Sequence, residues 1–206
     1  MKILAIELSS ARGSIAFVAD AAESFVSEFA NDRKHSGAFF NHLRECVEQY
    51  GKPDRIVVGL GPGSYAGTRI AIAAAIGVQA ASGAALIGIA SVRAIQTSQP
   101  DYIVIGDARR NSFYFARVHQ LRCVEGPLLC TEPELQGRLS RSGTPVFATE
   151  QLVRFPEACI AYPSAGVLAR IGAMETPPAN DVLLEPIYLR DPHITVPKQM
   201  PLVKNT

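Results

Sequence analysis

No stretch of this sequence approaches the roughly 20 uncharged apolar residues that a membrane-spanning helix needs, so a helical span is excluded. The opening MKILAIELSS carries one lysine, but Glu7 interrupts its apolar run and no small-residue cleavage site follows, so no secretory leader is expected. The four cysteines (Cys46, Cys123, Cys130, Cys159) form no C-x-x-C pair and no zinc-finger spacing. Free thiols in a reducing cytoplasm account for them. Histidine is also scarce: His35, His42, His119 and His193. His35 and His42 would stand about 10.5 Å apart along a helix, too far to share a metal at about 2.1 Å per ligand. With no H-E-x-x-H motif, all four are read as solvated or capping groups. Neither sign of charge dominates, with 20 Lys+Arg against 19 Asp+Glu. That balance argues against a stand-alone nucleic-acid binder. A G-x-S-x-G elbow is missing, and no His–acid pair is placed to activate Ser64, which argues against nucleophilic catalysis.

The most informative stretch that is present runs from Arg55 to Ser82, RIVVGLGPGSYAGTRIAIAAAIGVQAAS. Continuous β-branched residues predict a buried strand over Ile56 to Leu60, a glycine-rich turn over Gly61 to Gly67, and a helix over Thr68 to Ser82. Four glycines within nine residues allow a sharp turn and close backbone approach. From Ile70 to Ser82 the helix is apolar all the way round except at Gln79 and Ser82, so it needs covering on two sides. Ile72 and Ile76 are the expected sheet-facing anchors. The second cover comes either from this chain's own core or from a partner.

The start of the chain predicts a β-meander over residues 3–18 and Glu23 to Phe29. An amphipathic helix follows from Ser36, a natural N-cap, to Tyr50, and Gly51 and Pro53 end it. Its apolar arc holds Phe39, Phe40, Leu43, Cys46, Val47 and Tyr50. A buried strand from Ala85 to Ser91 and a short helix from Val92 to Thr97 complete a βββαβαβ half. The segment DYIVIGDARRNSFYFARVH then repeats the opening pattern of strand, acid, Arg-bearing turn and strand, so that Asp107 corresponds to Glu7 with a turn two residues longer. Two related subdomains are therefore expected, 1–99 and 100–206. Further elements are a strand at Val124 to Leu129, a helix at Glu132 to Leu139, a strand at Pro145 to Ala148 and a helix over Ser164 to Ala173. The tail from Thr176 carries six prolines and is expected to be irregular.

The turn between Gly59 and Gly67 has two readings: an anion cradle at a helix N-terminus, or a structural turn of Gly61, Gly63, Ser64, Gly67 and Arg69 that holds nothing. It fails the Walker spacing, because Arg69 follows Thr68. It satisfies G-x-G-x-x-A but lacks an acidic residue after the next strand, where Ala90-Ser91-Val92-Arg93 stands. The structural turn is the preferred reading. Glu7 and Asp107, at equivalent strand ends, have two readings as well. They could face each other across a cleft and hold a hydrated magnesium ion, or they could pair locally with Arg12 and Arg109.

These pieces together resemble the TsaB (YeaZ) family of bacterial tRNA-modification proteins. The resemblance rests on ILAIELSS, Arg33-Lys34-His35-Ser36, VGLGPGSYAGTRIAIAAAIGVQ, IGIASVRAI, the DARRNSFYF block and EPIYLR over Glu185 to Arg190, in family order along nearly the whole chain. The chain departs from the family in carrying Glu7 where Asp is usual, and residues 120–160 match only loosely. The resemblance implies an α/β, actin/Hsp70-like (ASKHA, ribonuclease H-like) fold of two subdomains with repeated βββαβα topology. It implies a non-catalytic scaffold or activator role in making threonylcarbamoyladenosine at tRNA position 37. The implied partners are a TsaD-like paralogue that carries the metal and transferase site and a TsaE-like ATPase, with tRNA met only through the complex and no membrane contact. A homodimer is implied where the paralogue is absent. No resident cofactor is implied, ATP or ADP with magnesium belonging to the assembled complex. Pairing in the family runs through the two helices, which points to Phe39, Leu43, Ala71, Ala74, Ala75 and Val78 as the interface. A remnant nucleotide or phosphate site would involve Glu7, Ser9, Ser10, Asp107 and Arg109. The competing readings are an ATP-dependent sugar-kinase-like enzyme of the same fold and a glycoprotease-like peptidase.

Overall fold

The computed structural model describes residues 1–20, 22–31, 36–177 and 184–190. His35, His193 and the side-chain cap read at Ser36 fall outside what is described. The meander forms β1 (Lys2–Glu7), β2 (Arg12–Ala19) and β3 (Ala22–Ala30), followed by α1 (Ser36–Tyr50), β4 (Arg55–Gly59), α2 (Tyr65–Ser82) and β5 (Ala85–Ile89). The second half continues with β6 (Asp101–Asp107), β7 (Ser112–His119), β8 (Arg122–Thr131), α3 (Glu132–Leu139), β9 (Val146–Ala148), β10 (Cys159–Ile160) and α4 (Ala165–Met174).

The two halves build the same sheet. The first has strand order β3-β2-β1-β4-β5 and the second β8-β7-β6-β9-β10. In each, three antiparallel strands lead into a fourth that runs parallel to the first. The repeat seen in the sequence is thus a repeat of topology. One detail differs from expectation: both hairpin turns are four residues long, Leu8–Ala11 and Ala108–Asn111. The second turn is instead wound differently, with Arg109, Arg110 and Asn111 all left-handed at φ 65°, 53° and 57°. The second sheet has no helix before β10, and the short helix expected near Val92 is a single 3-10 turn, Ser91–Ala94.

The central strands β1 and β4 are buried on both faces because both faces are covered, which is why they read as unbroken apolar runs. Leu4, Ile6, Ile56 and Val58 point to one core, shared with Phe39, Leu43 and Cys46 of α1 and with Ala71, Ile72 and Ala75 of α2. Ile3, Ala5 and Val57 point to the other, which α4 covers with Ala165, Leu168 and Ile171. A helix from the end of the chain therefore completes the first sheet. Gly172 allows the close approach, since a Cβ there would run into the Val57 side chain. Polar contacts fix both ends of α4. Ala165 N–H donates to Ser14 Oγ (2.9 Å), and Arg55 donates to the carbonyls of Gly172 and Glu175. Arg93 bonds the Glu175 carboxylate at 2.6 Å. On the second sheet, α3 lies over Ile103, Ile105, Phe113 and Phe115 through Leu135. The opposite face meets the 3-10 turn through Val92, Tyr102 and Tyr114.

Candidate functional site

The ends of β1, β4, β5 and β6 carry most of the residues singled out in the sequence. Glu7, the last residue of β1, is completely buried. Its Oε1 accepts the Ser9 amide at 2.6 Å, and its Oε2 has no hydrogen-bond partner. Burial pushes its carboxyl above the ordinary range, and the polar groups of Ser9 and Ser91 beside it oppose that shift only in smaller part. The carboxyl lies against the backbone of Gly59, where any Cβ would collide with it and with the Ser91 hydroxyl. Glu7 and Gly59 are a fitted pair that the sequence does not announce; Gly59 reads only as the end of a strand. Ser91 also serves the turn, accepting the Gly61 amide at 3.0 Å.

The glycine turn then packs backbone against backbone on the β1–β2 turn. Ser64 N–H donates to the Ser9 carbonyl at 2.6 Å. A Cβ on Gly63 would strike that carbonyl, and one on Gly67 would strike the carbonyl of Leu8. Asn31 clamps the same turn from β3's end, its Nδ2 donating to the carbonyls of Leu8 and Ser10 at 2.8 Å each. Ser10 turns inward, its hydroxyl donating to the Arg12 carbonyl at 2.8 Å. Ser64, not Thr68, begins α2: its hydroxyl accepts the Gly67 amide at 3.2 Å and its carbonyl the Thr68 amide at 3.0 Å. The chain's own carbonyls and hydroxyls thus occupy the neighbourhood of this helix start.

Asp107 sits at the end of β6 as Glu7 does at the end of β1, but its setting is open. Its carboxylate accepts the Arg109 amide at 2.7 Å and meets the Arg109 guanidinium at 3.1 Å. Local pairing therefore describes Asp107. It does not describe Glu7, because Arg12 turns outward to Glu28 at 3.4 Å and lies over the Tyr162 ring. Among the described residues, no group of three or more His, Cys, Asp or Glu is placed to share a metal ion. His42 stacks on Phe29 and stands 3.8 Å from Glu45, and His119 pairs with Asp101 at the surface.

A segment of the tail bridges the two halves here. Ile187 N–H donates to the Leu60 carbonyl at 2.8 Å, while Leu184 packs into the first core against Gly88. Tyr188 rests on Tyr65 with ring centroids 5.4 Å apart, and the Arg69 guanidinium lies over the same Tyr65 ring. Leu189 packs on the core of the second sheet, and Arg190 donates to the Arg109 carbonyl at 3.3 Å. The EPIYLR run therefore crosses from the glycine turn to the β6–β7 turn.

The expected interface residues divide. Phe39, Leu43, Ala71 and Ala75 are buried inside this chain, and Ala74 and Val78 are half-buried against the same core. The four buried ones cover this chain's own sheet, whereas Ala74 and Val78 keep part of their surface exposed. Ile76, read as an anchor on the sheet, is 41% exposed. The wheel was apolar all round, so the sequence could not say which arc faced inward. The exposed stripe of α2 includes Ala66, Arg69, Ala73, Ile76, Gly77, Ala80 and Ala81, and on α1 Phe40 is exposed beside the buried Phe39. No helix among the described residues is long and apolar enough to cross a membrane.

Comparison with known proteins adds five matches. The family model described as TsaD, tRNA N6-adenosine threonylcarbamoyltransferase, matches residues 30–128. An uncharacterized protein of Mycobacterium leprae is 32% identical over 143 residues, covering 68% of this chain but 38% of that protein. One from Mycobacterium tuberculosis strain H37Rv is 33% identical over 146 residues, covering 68% of this chain and 65% of its own length. Among solved structures, a Pseudomonas aeruginosa protein with similarity to peptidase YeaZ superposes with a TM-score of 0.74 at 18% identity, over 92% of this chain and 99% of that one. YeaZ from Pseudomonas aeruginosa superposes with a TM-score of 0.66 at 16% identity, over 84% and 91%. The fold is the actin-like ASKHA fold of two five-stranded sheets.

Proposed function

We propose, from the TsaB (YeaZ) family assignment that this fold and the TsaD-model match support, that the chain is a non-catalytic scaffold or activator in threonylcarbamoyladenosine formation at tRNA position 37. Its partners are a TsaD-like transferase and a TsaE-like ATPase, with a homodimer in the transferase's absence. It meets tRNA through the complex and works in the cytoplasm.

The observation that carries this reading is the uncovered arc of α2. A helix that is apolar nearly all round is covered on one side only among the described residues, leaving Ala73, Ile76, Gly77 and Ala80 exposed with Arg69 at the margin. Small residues there allow a second helix to approach closely. The buried Glu7 and the backbone-filled glycine turn support a partner role over a sugar-kinase-like one, since the region where such an enzyme would hold phosphate is taken by the chain itself.

The test is reconstitution. The purified chain alone should make no modified tRNA from threonylcarbamoyl-adenylate, and adding the TsaD-like protein, the TsaE-like ATPase and ATP should restore turnover. Ala73→Arg should abolish that restoration while leaving the chain folded by circular dichroism. Product from the isolated chain would sink the scaffold reading, and full activity of the variant would remove α2 from the interface.

A further inference from the structure

The second sheet carries a cleft of about 700 Å³ where α3 stops short of covering β7 and β8. Its floor is apolar, made by Ile103, Phe115 and Leu129, and its walls hold Arg117, Arg138 and Arg141 facing Glu125 and Glu134. The two acids are committed elsewhere. Glu134 closes the capping box of α3, accepting from Thr131 N–H at 2.7 Å and its hydroxyl at 2.8 Å. Those bonds hold its carboxyl below the usual range. Glu125 is ion-paired to Arg138, whose guanidinium also lies over the Phe115 ring.

Two cations remain. Arg117 extends the row Phe113–Phe115 past the end of α3, is exposed, and makes no hydrogen bond or ion pair among the described residues. Arg141 donates only its Nε, to the Gly137 carbonyl at 2.7 Å, so both of its terminal amino groups are free. The turn after α3 adds the hydroxyls of Ser142 and Thr144 to the same wall, and Gly143 leaves the approach open. Although the chain as a whole is almost neutral, the charge left over in this cleft is positive.

We propose that this cleft binds a phosphoryl group through Arg117 and Arg141, with the Ser142 and Thr144 hydroxyls as neutral donors. The Arg117 guanidinium and the two terminal amino groups of Arg141, with flanking hydroxyls, suit the tetrahedral spread of phosphate oxygens, in a monoester or a diester, better than the flat pair of a carboxylate. The phosphoryl group belongs either to a small phosphorylated molecule or to an RNA backbone. The inference does not rest on the α2 interface or on the tRNA-modification reading, because it uses only residues of the second sheet and α3.

The test uses the full chain and three probes: inorganic phosphate, adenosine monophosphate and a 17-nucleotide RNA stem-loop. Binding is measured by calorimetry and by fluorescence anisotropy at several salt concentrations. The variants are Arg117→Gln and Arg141→Gln, singly and together; both side chains are exposed, so the melting temperature without ligand should not move. The double variant should lose about tenfold or more in affinity. If RNA is the source, each substitution should also reduce the steepness of the salt dependence by about one. Phosphate or the mononucleotide binding at the site and displacing RNA would assign it to small ligands, and RNA binding alone would assign it to the polymer. Failure of all three probes to bind the wild-type chain, or equal binding by the folded double variant, overturns the proposal.

Discussion

At the scale of single residues, Glu7 sets a pH dependence. A carboxyl whose folded pKa is raised above its unfolded value, near 4.5, is favoured by folding only while protonated. Its stability contribution is complete below the unfolded value and is lost as pH rises through the folded one. Wild-type protein should therefore melt lower at pH 8 than at pH 5, and Glu7→Gln should flatten that decline in thermal melts across the range. An unchanged slope would mean that Glu7 is ionised in the folded chain. Gly67 supplies a second residue-scale prediction. Its missing Cβ leaves room for the Leu8 carbonyl, so Gly67→Val should destabilise by about 3 kcal/mol in urea titration, with no ligand involved. The thiols give a third. Burial pushes Cys46 up to about 12, whereas Cys159 is exposed, so alkylation at pH 8 should mark Cys159 long before Cys46 by mass mapping.

At the scale of elements, α2 is a helix of two faces that composition does not distinguish. Its inner arc of Thr68, Ala71, Ile72 and Ala75 is covered by the sheet, and among the described residues nothing covers the outer arc. Gly77 sits in that outer arc with open space where a Cβ would stand. Gly77→Ala should therefore stabilise the isolated chain by about 0.5–1 kcal/mol, read from the shift in denaturant midpoint. Ala75→Arg should behave in the opposite way. Ala75 is fully buried, so the variant would place an unpaired charge in the core and should unfold the chain rather than merely dissociate it. Circular dichroism separates the two outcomes.

At the scale of the molecule, the two sheets are tied by chain segments that cross between them. Helix α4 leaves the second half to cover the first sheet, and residues 184–190 return from the Leu60 carbonyl to the Arg109 turn. Tyr188 lies at the middle of that crossing, resting on Tyr65. Tyr188→Ala should loosen the bridge, seen as faster hydrogen exchange at the Ile187 amide while the amides of β1 stay protected. The same change should leave the cleft beneath α3 unaltered, because its floor of Ile103 and Phe115 belongs to the core that α3 covers, whereas Leu189 packs on the core of the opposite face.

Much of this protein is set by local pattern. Unbroken β-branched runs, glycine punctuation and one clean amphipathic helix sufficed to place the central strands, α1 and α3, and the DARR turn betrayed the repeat of β1–β2 in β6–β7. These features are legible because periodicity and turn chemistry act over a few residues. Pairings between residues far apart in sequence needed the tertiary structure. It alone set Glu7 against Gly59, brought α4 back to the first sheet, and left Glu125 and Glu134 committed while Arg117 and the terminal amino groups of Arg141 stayed open. It also chose the arc of α2 that faces inward, because an all-apolar wheel has no preferred side until a particular sheet is laid against it.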